Sequence, residues 1–148
     1  MTILVLNGPN LNMLGVREPD IYGKETYATL CRRVTEHAQA LGVQVELFQS
    51  NHEGDLVDRI QAAYGACDGI VLNPAAYTHT SVALLDALKA VGLPAVEVHL
   101  SDVAAREDFR LISFVRAACL STISGKGIDG YLEALDVLVN HLRGGAPT

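Results

Sequence analysis

The chain has 148 residues, of which 49% are apolar and 19% charged, and its formal net charge is -6. This length suits one domain that buries roughly 70% of its unfolded surface, and the composition is that of a globular protein rather than a disordered one. The acidic balance argues against a nucleic-acid partner, which needs a basic face, but it allows a small anion gripped by a few arginines in a pocket.

The first run, Thr2 to Leu6, reads as a buried strand. It has no basic segment before it and is too short for a signal peptide or a membrane span, so no membrane association and a cytoplasmic location are expected. Thr26 to Leu41 reads as a helix stopped by Gly42. Val43 to Gln49 follows as a strand and Gly54 to Tyr64 as a helix. Gly69 to Leu72 is a third strand, and Ser81 to Val91, ending at Gly92, a third helix. Ala95 to His99 is a fourth strand, Leu120 to Ser124 a weaker fifth, and Gly130 to Leu142 a closing helix. The tail from Gly144 to Thr148 is expected to fray, leaving residues 1–143 as a single domain.

Strands rich in Ile, Val and Leu that alternate with helices predict an α/β fold, a doubly wound five-stranded parallel sheet in flavodoxin-like order. Ligands on such sheets bind beyond the carboxyl ends of the strands. Three of those ends carry polar, titratable groups.

The segment Asn7 to Gly23 after the first strand holds three Gly, two Pro and three Asn, together with Arg17 and Tyr22. It is far longer than a usual βα loop, which fits a lid or binding loop as well as an irregular surface loop. It matches neither a dinucleotide fingerprint nor a P-loop. After the third strand comes Asn73 to Ser81. Thr80 or Ser81 is placed to cap the next helix, whose N-terminus also suits an anion; His79 taken alone reads as a surface or capping residue. After the fourth strand, Glu97 and His99 fall on one side of the strand by the two-residue period, where a carboxylate orients an imidazole. A hydrogen-bonded core histidine is the plainer reading of that pair. The run Ala105 to Arg110 brings Arg106 and Arg110 to the same edge, or forms a solvated charge run. Convergence of all three ends is what an active site on this architecture requires.

At these residues the chain closely resembles the type II 3-dehydroquinate dehydratases, over nearly its whole length. The resemblance is carried by GPNLNxLGxREPxxYG at Gly8 to Gly23, by Asn73-Pro74-x-Ala76-Tyr77-Thr78-His79-Thr80-Ser81, by Glu97-Val98-His99-Leu100-Ser101 and by Arg106-Glu107-x-Phe109-Arg110. It implies dehydration of 3-dehydroquinate to 3-dehydroshikimate through an enolate, in the shikimate pathway or in quinate breakdown. It implies Tyr22 as the base, Arg17 as the lid arginine that favours its phenolate, and Asn10 near the developing enolate. His99 becomes the general acid for the departing hydroxyl, oriented by Glu97. Asn73, His79, Leu100, Ser101 and Arg110 become the substrate-holding groups, and Asp86 an aspartate reaching the site of a neighbouring subunit. Trimers assembling to a dodecamer are implied too, with neither metal nor imine. The chain departs from many relatives after Arg110, where Leu111-Ile112-Ser113-Phe114 replaces a His-Ser-Tyr run.

The chemistry fits the residues. Removing a proton next to a ketone and then expelling a β-hydroxyl needs a base, an enolate stabiliser, an acid and an anion clamp, and Tyr22, Asn10, His99 and Arg110 offer one of each. No cofactor is expected: no Cys/His/Asp set has metal-ligand spacing, and none of the three lysines, Lys24, Lys89 and Lys126, sits where an imine-forming lysine would. Cys31, Cys67 and Cys119, odd in number and far apart, read as free thiols. A flavodoxin-like binding domain without catalysis would need a phosphate-rich or flavin-stacking loop or paired acids at the strand ends, and a catalytically dead scaffold would have lost Tyr22, Arg17 or His99.

Overall fold

In the computed structural model the described residues are 1–16, 25–102 and 105–145. Five parallel strands, β1 (Thr2–Asn7), β2 (Gln44–Gln49), β3 (Gly69–Asn73), β4 (Ala95–His99) and β5 (Ser121–Ser124), line up in the order β2-β1-β3-β4-β5. This is the flavodoxin-like doubly wound order. Four α-helices stand among the described residues: α1 (Tyr27–Leu41), α2 (Glu53–Ala63), α3 (Val82–Val91) and α4 (Ile128–Leu142).

The two-residue period of the strands divides the core. Ile3, Val5, Val71, Val96 and Val98 face one way and pack on Leu30, Val34 and Ala38 of α1 and Leu135 and Leu138 of α4. Leu4, Leu6, Ile70, Leu72 and Ala95 face the other way, onto Leu56 and Ile60 of α2 and Leu84 and Leu88 of α3. Each such leucine or isoleucine contributes about 1.5–3 kcal/mol by leaving water. β3 and β4 are buried along their whole length, whereas edge strands β2 and β5 are partly exposed. Edge exposure explains why β5 is the faintest strand in the sequence.

Helix ends follow local chemistry. Thr26 caps α1 by accepting from the Thr29 N–H at 3.1 Å. Gly42, at φ 74°, closes it: Gly42 N–H donates to the Gln39 carbonyl and Val43 N–H to the Ala38 carbonyl, both at 3.0 Å. This two-bond closure draws Val43 into the helix stop, so β2 begins at Gln44 rather than at Val43. Of the two candidate caps before α3, Ser81 performs the role, accepting from Leu84 N–H at 3.0 Å. α4 starts two residues earlier than Gly130. That glycine lies inside the helix because an added Cβ would sit 3.4 Å from Val98 Cγ2 and 3.5 Å from Ile123 Cγ2, so it marks close helix–sheet packing rather than a helix start.

The loops after β1 and β3 lie on opposite sides of the strand-order reversal and are tied together there. Gly8 N–H donates to the Asn73 carbonyl at 2.8 Å. A Cβ on Gly8 would fall 2.3 Å from the Pro74 oxygen, so only glycine permits this approach. At the end of β2, the Gln49 amide donates to the Gly8 carbonyl at 3.1 Å and to Asn51 Oδ1 at 3.2 Å, and Asn51 Oδ1 also accepts the Asn10 N–H at 3.0 Å.

Candidate active site

At this reversal point, beyond the carboxyl ends of β1, β3 and β4, lies a cavity of about 170 Å³. Pro9, Asn10, Leu11 and Leu14 form its wall from the first loop. Asn73, Ala75, Ala76 and His79 come from the loop after β3, and His99, Leu100, Ser101, Arg106 and Arg110 from the segment after β4. Two non-glycine residues in the lining hold left-handed backbones, Asn10 at φ 69° and Ala75 at φ 54°. Asparagine tolerates this conformation, whereas for alanine it costs about 1–2 kcal/mol. Ala75 N–H donates to Asn73 Oδ1 at 3.1 Å, so the strained turn helps to hold the Asn73 amide.

Glu97 and His99 do share a side of β4, and both are buried. His99 Nε2–H donates to Glu97 Oε2 at 2.5 Å. The same carboxylate accepts from Ser113 Oγ at 2.9 Å and from Thr122 Oγ1 at 3.2 Å, with Arg116 Nε 3.8 Å away. Burial pushes the Glu97 carboxyl up, but the hydrogen bond and charge of His99, the Ser113 hydroxyl and the Arg116 guanidinium outweigh it and hold it below the ordinary carboxylate range. Glu97 is therefore ionised at neutral pH. With Nε2 taken by this carboxylate, Nδ1 is the His99 nitrogen left for a bound molecule.

That depression gives a pH-dependent stability. Between an unfolded glutamate value of about 4.3 and the lower folded value, the unfolded chain binds more protons, so acidification favours unfolding. Glu97's stabilisation is complete above this window and is lost as pH falls through it. Wild type should therefore lose more of its thermal midpoint than Glu97→Gln between about pH 5 and pH 3. Equal losses in scanning calorimetry would remove Glu97 as a contributor to acid lability.

His79 is held differently. Its Nδ1–H donates to the Ile112 carbonyl at 2.7 Å. Burial lowers its pKa, helped by the Arg110 and His99 charges and opposed by the Ile112 carbonyl and Glu97. The neutral ring then leaves Nε2 as an acceptor. Arg110 Nε donates to Glu107 at 2.6 Å, with its guanidinium carbon 5.1 Å from the Phe109 ring centroid. Its two terminal nitrogens are what it presents to an anion, in the fork that suits a carboxylate.

Residues 1–139 match the family model for dehydroquinase class II. The chain belongs to the class II dehydroquinase family. Among curated relatives, it is 53% identical over 143 residues to the 3-dehydroquinate dehydratase of Geotalea daltonii, covering 97% of this chain and 99% of that one. It is 55% identical over 138 residues to that of Corynebacterium glutamicum, covering 93% and 95%. The crystal structure of type II dehydroquinase from Butyrivibrio crossotus superposes with a TM-score of 0.92 at 50% identity, covering 94% and 97% of the two chains. A 3-dehydroquinate dehydratase-like protein from Bifidobacterium longum superposes at 0.72 with 32% identity, covering 97% and 98%.

Among the dehydroquinase site residues expected from sequence, Asn10, Asn73, His79, His99, Leu100, Ser101 and Arg110 all line the cavity, with Glu97 behind His99. Arg17 and Tyr22 lie outside the described residues. Asp86 lies on the exposed face of α3 and is not part of the cavity of its own chain. Arg106 joins the cavity lining, although sequence reading placed it only at the edge.

Sequence reading missed the support beneath Asn73. Asn73 Nδ2 donates to Tyr131 Oη at 3.0 Å, Tyr131 Oη donates to Asn7 Oδ1 at 2.6 Å, and Asn7 Nδ2 donates to Tyr27 Oη at 3.3 Å. Burial raises the pKa of both tyrosines, so both stay neutral and Tyr131 keeps the proton that it donates to Asn7. Tyr131 is 58 positions from Asn73 and reads as one more core residue of α4, so only the packing reveals its partner. The three cysteines are free thiols, as the sequence predicts. Among the described residues no three His, Cys, Asp or Glu side chains cluster as metal ligands, and no helix is long and apolar enough to cross a membrane.

Proposed function

We propose that this chain dehydrates 3-dehydroquinate to 3-dehydroshikimate in the shikimate pathway, as a metal-free and imine-free lyase in the cytoplasm. Residues 1–143 act as its single catalytic domain, and trimers assemble to a dodecamer. The observation that carries the reading is the buried His99–Glu97 pair at a cavity rimmed by Arg110, in a chain of the class II dehydroquinase family.

Tyr22, as phenolate beside Arg17, takes the proton next to the ketone. The charge that develops on the ketone oxygen is met near Asn10, whose position is set by the Asn51 contact. His99, as imidazolium, protonates the departing hydroxyl from Nδ1, and the Glu97 carboxylate at Nε2 stabilises that charged ring. Arg110 grips the substrate carboxylate, aided by the Leu100–Ser101 backbone. Neutral His79 accepts from a substrate hydroxyl through Nε2, and the remaining Asn73 N–H donates to another. Asp86 completes a neighbour's cavity, which fits its place on the outer face of α3.

The test is incubation with 3-dehydroquinate while the conjugated enone is followed in the ultraviolet. Turnover should persist in chelator, and borohydride with substrate should leave the protein mass unchanged. Absence of enone formation by folded, oligomeric protein would overturn the activity. A trapped adduct, or metal-restored activity, would overturn the enolate route without cofactor.

A further inference from the structure

One short segment touches the support of both cavity imidazoles. Ile112 offers its carbonyl to His79 Nδ1 at 2.7 Å, and the next residue, Ser113, donates its hydroxyl to Glu97 Oε2 at 2.9 Å, the oxygen that also holds His99 Nε2. The segment is itself anchored by Phe114 N–H donating to the Thr78 carbonyl at 3.1 Å, next to His79. Ile112 is 57% exposed, so the segment's contribution at that residue is its backbone oxygen. A carbonyl serves equally well under any side chain.

We propose that Ile112–Ser113 is a positioning element that fixes where the protons sit on both histidines, so that His79 presents a bare Nε2 and His99 presents Nδ1 to the substrate. The inference rests on the dehydratase reading of the cavity. A carbonyl only accepts, so His79 must carry its proton on Nδ1. A carboxylate held by Ser113 and by Thr122, one hydroxyl on each oxygen, keeps a single rotamer, and its Oε2 faces His99. Without the Ser113 hydroxyl, Oε2 keeps only His99, and the carboxylate is free to turn toward Thr122 and Arg116. Ser113 thus acts on the reaction through Glu97 and His99 rather than by touching substrate.

The experiment is nitrogen-15 imidazole NMR with steady-state kinetics on wild type, Ser113→Ala and Ser113→Thr, in the full oligomer. In wild type, His79 should carry its proton on Nδ1, and His99 should show a downfield Nε2 proton. Ser113→Ala should displace or broaden the His99 signal and lower kcat about 10-fold, equivalent to about 1.4 kcal/mol of barrier, with KM changed less than about twofold. Ser113→Thr should restore the signal and most of kcat. An unmoved His99 signal in Ser113→Ala overturns the proposal whatever turnover does. So does a wild-type His79 protonated on Nε2 alone, a readout that stands even if the alanine variant fails to fold. A displaced His99 signal with unchanged kcat upholds the positioning and instead removes His99 from the reaction, which separates the two readings.

Discussion

Turnover should fall by more than the roughly 10²–10⁴-fold worth of one general base when Tyr22 becomes Phe, provided that no water takes the place of the phenolate. The ring is kept, so fold and substrate contact persist and the thermal midpoint stays close to wild type. Tyrosine is a poor base near its ordinary pKa of about 10, and lowering that by three units needs about 4 kcal/mol in favour of the phenolate. One guanidinium about 4 Å away, at an effective dielectric near 20, supplies about 4 kcal/mol. Arg17→Ala therefore keeps the base and loses the charge, and the acidic limb of the turnover profile moves up toward pH 10. Arg17→Lys recovers part of the effect, since a compact, hydrated ammonium does not reproduce the planar group. The measurement is turnover against pH for the four proteins. An active Tyr22→Phe would end the tyrosine-base assignment, and a dead Arg17→Ala with an unmoved limb would make Arg17 a substrate clamp or lid latch.

His99→Ala should lower kcat by about 10²–10⁴-fold while substrate affinity by calorimetry changes little, because proton donation to the leaving oxygen matters chiefly in the transition state. The variant also leaves Glu97 buried without its imidazole. Breaking a buried pair costs about 3–5 kcal/mol when one charge is stranded. Here Ser113, Thr122 and Arg116 remain, so the loss should fall below that range. Normal turnover in a folded His99→Ala would pass the acid's role to another group. His79 is the next candidate, but burial keeps it neutral, and its one proton is already given to the Ile112 carbonyl. Double substitution at 79 and 99 would then be needed to abolish turnover.

Much of this molecule is legible in one dimension. Central strands buried on both faces must be continuously apolar, so β1, β3 and β4 are visible as runs. Threonine or serine before an apolar period, and glycine after it, mark α1 and α3 at both ends. The Glu97–His99 contact is local, two residues apart on one strand, so the strand period alone puts the side chains together. The residue blocks at the strand ends, in order and at matching separations, suffice to point to the family before any coordinate is known.

Other features depend on distance along the chain. Whether Asn10, His79 and Arg110 meet at one cavity depends on the reversal of strand order, which brings loops from three separate strands to one place. Tyr131 supports Asn73, and Ser113 supports Glu97, through single hydrogen bonds made by residues whose type is unremarkable at their positions. A hydroxyl has no sequence period, and its partner is chosen only when helices and loops pack. The layered α/β fold, the strand-end chemistry and the Glu97–His99 pair follow from local period and backbone geometry, and so are written in the order of the residues. Which buried polar groups hold the site residues in place is settled by packing, because a buried donor or acceptor must find whichever partner the fold brings within about 3 Å.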